Sequence, residues 1–188
     1  LYCEITVDPK EPIKSLAARL TCYPSFFTSA YHRDGARRIQ TPNALVRQGE
    51  RVNLPAKDHW WAVYYDEIFD TAKGEGEGPC ALVVLPEQVA QVGFDPGSYA
   101  VGTRVTCVPG ATRLRLALWD FKGKSNAQAV ERLRSIAPQI RQELTTLDFT
   151  PVAVKSFDLR AIREELQRAV KSPAMRTALG KKTAEIED

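Results

Sequence analysis

Three arginines, Arg104, Arg113 and Arg115, fall on one face of what reads as a two-stranded ribbon between Ser98 and Phe121. Val105 and Cys107 alternate with Arg104 and Thr106, Pro109-Gly110 marks a turn, and Thr112 to Leu118 returns with period-two alternation. With Val108 opposite Ala111, Arg104 faces Arg115 directly and Arg113 shares their side. Like charges opposed across a ladder are destabilising, so the pattern points to an anionic partner. The competing reading is a solvated face whose arginines pair with glutamates such as Glu131 or Glu143. A second basic stretch holds Arg33, Arg37, Arg38, Arg47 and Arg51, broken by Asp34-Gly35, Pro42-Asn43 and Gln48-Gly49 into loops and short strands. It either extends an anion-binding surface for phosphate or lipid headgroups or is one more solvated face. Arg132, Arg134 and Arg141 follow on the next helix.

An enzymatic alternative rests on Leu116-Ala117-Leu118-Trp119-Asp120-Phe121-Lys122, where an acid, a spacer and a lysine end an apolar strand. This resembles the second half of a PD-(D/E)xK nuclease core. There, carboxylates hold a magnesium ion that activates water, and the lysine orients that water or offsets charge. Asp120 and Lys122 share parity, as such a site requires, but Tyr99 to Val108 contains no second acid, and only Asp95 in the preceding segment stands in. The bland reading is that Asp120 ends the strand and Lys122 and Lys124 are solvated. Gly123-Lys124-Ser125 is not a phosphate loop, because the strand and glycines that must precede it are absent. His32 near Asp34, and His59 beside Asp58, lack a Ser or Cys setting for nucleophilic catalysis.

The elements that would position these groups follow from periodicity. Tyr2 to Val7 alternates as a strand. Pro12 suits the first turn of a helix carrying Ile13, Leu16, Ala17 and Leu20 at helical spacing until Pro24. Tyr23-Pro24-Ser25-Phe26-Phe27 is an aromatic loop, capping the core or anchoring a partner. Trp60 to Phe69 is aromatic on both faces, as in a strand buried on both sides or one whose second face a partner subunit covers. Lys73 to Pro79 is an acidic glycine loop, and Ala81 to Leu85 a short buried strand. Ser125-Asn126 opens a helix with Val130, Leu133, Ile136, Ile140 and Leu144 on one stripe, and Pro138 is expected to kink or divide it. Phe149 to Val154 reads as a strand, and Asp158 as the N-cap of a last helix that Pro173 ends.

The chain has 188 residues, 44% hydrophobic and 26% charged, with a net charge of +3. That is the balance of a folded protein able to bury a core, with only a mild basic bias. Four scattered cysteines (Cys3, Cys22, Cys80, Cys107) without a C-x-x-C pair, and two histidines, give zinc little support and read as buried free thiols of a reducing compartment. No run is long enough for a transmembrane helix and none resembles a signal peptide. The chain opens at Leu1 inside a strand-like run, so a removed or disordered segment is expected before it. The expected class is α+β, an antiparallel sheet packed against a few helices. Residues 1–172 form a single core domain, and 173–188 a polar, helical C-terminal tail. No cofactor is expected.

Taken in order, several pieces resemble the core of a rhabdovirus-type matrix protein. They are Leu1 to Val7 with Pro12 to Tyr23, Leu82-Val83-Val84-Leu85-Pro86-Glu87-Gln88-Val89, the strand Arg113 to Asp120, and Leu147 to Val154. The resemblance implies a non-enzymatic viral structural protein of the virion, located in the host cytoplasm or nucleus. Such a protein self-associates, binds acidic membrane and condenses an RNA-containing nucleocapsid during budding. This chain departs from that pattern in having no Pro-Pro-x-Tyr late-budding motif and in its tail after Pro173.

Overall fold

A computed structural model describes residues 1–23, 36–74 and 76–150. The chain divides into two compact units, Leu1–Phe149 and Thr150–Asp188, and all of the second beyond Thr150 lies outside the described residues. So do Phe26, Phe27, His32, Arg33, all but the first two residues of the strand expected over Phe149 to Val154, the Asp158-capped helix and the boundary expected at 172.

The first unit is α+β, as expected, with ten strands and one long helix among the described residues. One six-stranded antiparallel sheet runs β1 (Tyr2–Thr6), β10 (Arg113–Asp120), β7 (Cys80–Val84), β6 (Trp61–Asp66), β3 (Arg37–Gln40), β4 (Leu45–Arg47). A four-stranded sheet runs β2 (Ala17–Cys22), β9 (Val101–Cys107), β8 (Val89–Pro96), β5 (Val52–Pro55). Their facing sides share a core in which Ile39, Tyr64, Leu82, Leu114 and Leu116 of the larger sheet meet Val92, Phe94, Val101 and Val105 of the smaller. Such face-to-face packing needs strands whose alternate residues are apolar, and β9 and β10 supply them.

The other face of the larger sheet is covered by α1 (Asn126–Thr146). Leu133, Ile140 and Leu144 are fully buried against Trp61, Val63, Ala81, Val83 and Ala117. Each such side chain contributes about 1.5–3 kcal/mol of burial. β6 is therefore covered on both faces within this unit, which explains its aromatic character. Ser125 caps α1: its side chain accepts from the Gln128 N–H while the Gln128 side chain accepts from the Ser125 N–H.

Three expectations are corrected. The segment after Pro12 is not a helix. Residues 17–22 also alternate with period two, and ladder hydrogen bonds to β9 give that pattern more than a short isolated helix could offer. Of the two outcomes expected at Pro138, division does not occur: α1 is continuous from Asn126 to Thr146. The ribbon is not a hairpin. Its turn forms, with the Ala111 N–H donating to Val108 O at 3.2 Å and Gly110 at φ 76°. Beyond it the strands separate: β9 pairs with β2 and β8, and β10 with β1 and β7. Alternating strands joined by a turn can lie side by side or stack across a sandwich, and here burying both apolar faces in one core decides.

Candidate anion-binding face

That separation takes apart the arginine cluster expected on the ribbon. Arg115 points to the helix side of the larger sheet. Its Nε donates to Glu4 Oε2 at 2.7 Å, and its Nη1 donates to the carbonyls of Leu144 and Thr145 at 2.9 Å each. Its guanidinium carbon lies 4.7 Å from the Phe149 ring centroid. It closes the C-terminal end of α1, whose own last turn carries no basic residue. Arg113 also reaches Glu4, at 3.6 Å, from a half-exposed position. Glu4, on β1, was not among the carboxylates expected to serve this role.

Most of the 33–51 stretch is likewise satisfied internally. Arg37 is buried, 3.8 Å from Asp66, with an N–H donated to Tyr99 O. Burial lowers its pKa, and Asp66 opposes that shift. Arg38 pairs with Glu67 at 2.7 Å, and exposed Arg51 with Asp95 at 3.1 Å. Arg47 is exposed, opposite Arg38 in the β3–β4 ladder.

Arg104 is different. It is exposed on the outer face of the smaller sheet, where its cross-strand partner is Arg19 of β2. The ladders place Asn53, Gly93, Arg104 and Arg19 in one row across all four strands. The next row holds Asp95, Gly102 and Thr21. The Asn53 Oδ1 lies 2.5 Å from where a Cβ on Gly93 would stand, so a side chain there would turn the Asn53 amide aside. The Asn53 amide lies over Gly93, Gly102 leaves the next row low, and Arg19, Arg51, Asn53, Asp95 and Arg104 line a concavity of about 320 Å³. Asp95 is engaged by Arg51, and neither Arg19 nor Arg104 has a carboxylate partner among the described residues. Two guanidinium groups opposed across a ladder repel, and their planar forks match the oxygens of a phosphate or carboxylate. Arg19 was missed because the helical reading of 13–20 hid the outward parity it shares with Thr21.

The nuclease constellation does not assemble. Asp95 lies on the solvent face of the smaller sheet, bound to Arg51. Asp120 ends β10 in the other sheet, on the parity of Leu114, Leu116 and Leu118, which face the core. Lys122 lies 4.0 Å from Glu77. Among the described residues no group of three His, Cys, Asp or Glu is placed to hold a metal ion. His59 Nδ1 is 2.8 Å from Thr41 Oγ1, and burial lowers its pKa against the opposing pull of Asp58. Among the described residues no helix is long and apolar enough to cross a membrane.

Comparison with protein-family models, with curated proteins and with solved structures finds no match for this chain.

Proposed function

We propose that this chain is a non-catalytic interaction protein whose four-stranded sheet docks on an acidic phospholipid surface through Arg19 and Arg104, with Arg51 at the rim. One observation carries the reading: two exposed arginines face each other across the β2–β9 ladder, and neither has a carboxylate partner among the described residues. Their repulsion is relieved when an anion bridges them, with the Asn53 amide over Gly93 as a further polar group beside it. The face is small, so each docking event is weak and salt-sensitive. Self-association, which multiplies such contacts, is part of the proposal, as is a matrix-type role joining membrane to nucleocapsid.

Sedimentation with phosphatidylserine vesicles tests it. The full chain should bind them and ignore phosphatidylcholine, and Arg19→Glu or Arg104→Glu should release it while Arg113→Glu does not. Binding that survives both reversals overturns the site. Binding to RNA without binding to acidic vesicles overturns the lipid partner and transfers the face to nucleic acid.

A further inference from the structure

One polar layer crosses the apolar space between the sheets. Tyr64 on β6 hydrogen-bonds Thr103 on β9, Oη to Oγ1, at 3.1 Å and fully buried. Beside this pair, Cys22 at the end of β2 meets Cys80 at the start of β7, with the two Sγ atoms 2.8 Å apart. They stand 58 residues apart in sequence and come from opposite sheets, so no local motif announces them. Both are free thiols in the structure. A disulfide requires about 2.05 Å between sulfurs, so closure needs a movement of under about 1 Å. Cys3 and Cys107 have no such neighbour among the described residues.

We propose that Cys22 and Cys80 are a redox-modification site, forming an inter-sheet disulfide by exchange with a small-molecule disulfide of the glutathione class. Cys22 is the attacking group. It sits at the end of an edge strand, whereas Cys80 begins an interior one. The Cys80 thiol is held protonated by its hydrogen bond to Cys22 and by burial. The Cys22 thiolate attacks one sulfur of the small disulfide, forming a mixed disulfide and expelling one small thiolate. Cys80 then loses its proton and attacks the Cys22 sulfur, and the second small thiolate leaves. Two electrons pass from the protein dithiol to the small disulfide, and the two protons end on the two small thiols released. The product ties β2, an edge strand of one sheet, to β7, an interior strand of the other.

The full chain is equilibrated with oxidised glutathione, its thiols are counted under denaturing conditions, and its peptides are mapped without reduction. The expected result is a fall from four thiols to two, a Cys22–Cys80 cross-linked peptide, and a thermal midpoint raised by roughly 10 °C. Cys3→Ser should keep the cross-link, and Cys80→Ser should leave glutathione trapped on Cys22. Four thiols remaining, a cross-link through Cys3 or Cys107, or a stable glutathione adduct on wild-type Cys22 would each overturn the assignment. The wild-type peptide map decides the matter even if a variant fails to fold.

Discussion

Replacing Arg115 by methionine separates a structural arginine from a ligand-binding one. Methionine keeps most of the apolar stem and removes the head group, together with one ion pair to Glu4 and two hydrogen bonds to the last carbonyls of α1. A hydrogen bond from a charged donor is worth about 1.5–3 kcal/mol, and three at full value would overstate the loss. The Arg115 side chain keeps 14% exposure and Glu4 17%, so solvent screens the pair, and the freed carbonyls at the helix end can turn to water. A net loss of about 3 kcal/mol follows. In a unit of this size that lowers the thermal midpoint by roughly 10 °C, read by circular dichroism. Glu4→Gln should cost less. The Arg115→Met/Glu4→Gln double variant should be more stable than the two single losses added together, because the Glu4–Arg115 pair that both singles remove is lost only once. Affinity for acidic vesicles should be unchanged in the folded Arg115→Met protein. A midpoint within about 2 °C of wild type, or vesicle binding lost by a protein still folded, would refute the reasoning.

Other outcomes follow from the same structure. Leu133→Ala opens a cavity where α1 meets the larger sheet and should cost about 2–5 kcal/mol in urea unfolding. Ser125→Ala removes the N-terminal cap and should cost about 1 kcal/mol by the same assay. His59 has a folded pKa below its ordinary 6.5, so the unfolded chain takes up that proton first. Its contribution is therefore complete above pH 6.5 and lost as pH falls through the folded value. The stability difference between wild type and His59→Gln, followed by urea unfolding, should shift against wild type over that window, and a flat difference would contradict the burial.

Local patterns of the sequence survive in the fold wherever a short range settles them. The stripe Leu133, Ile140 and Leu144, the Ser125 cap, the doubly covered β6 and the Val108–Ala111 turn all depend on neighbours within a few residues or on strong periodicity. What failed needed distant partners. Val105 and Leu114 look the same whether their strands pair edge to edge or stack across a sandwich, so the expected meeting of Arg104 with Arg115 could not be checked locally. Glu4 lies more than a hundred residues from Arg115, and nothing near either announces the pair. Arg104 does stand opposite an arginine across a ladder, but that arginine is Arg19 of β2. Alternation of Ala18, Leu20 and Cys22 against Arg19 and Thr21 was the available signal, outweighed by Pro12 and helical spacing.

Affinity for phosphatidylserine vesicles, compared between wild type, Arg19→Gln/Arg104→Gln and Arg113→Gln at one low ionic strength, measures most directly whether the smaller sheet is the binding face. A basic side chain at an acidic membrane contributes about 1 kcal/mol. The double variant should therefore bind roughly 30-fold more weakly, while Arg113→Gln stays within about twofold of wild type. A double variant that binds as wild type does, or an Arg113→Gln protein weakened as much as the double, would contradict the assignment.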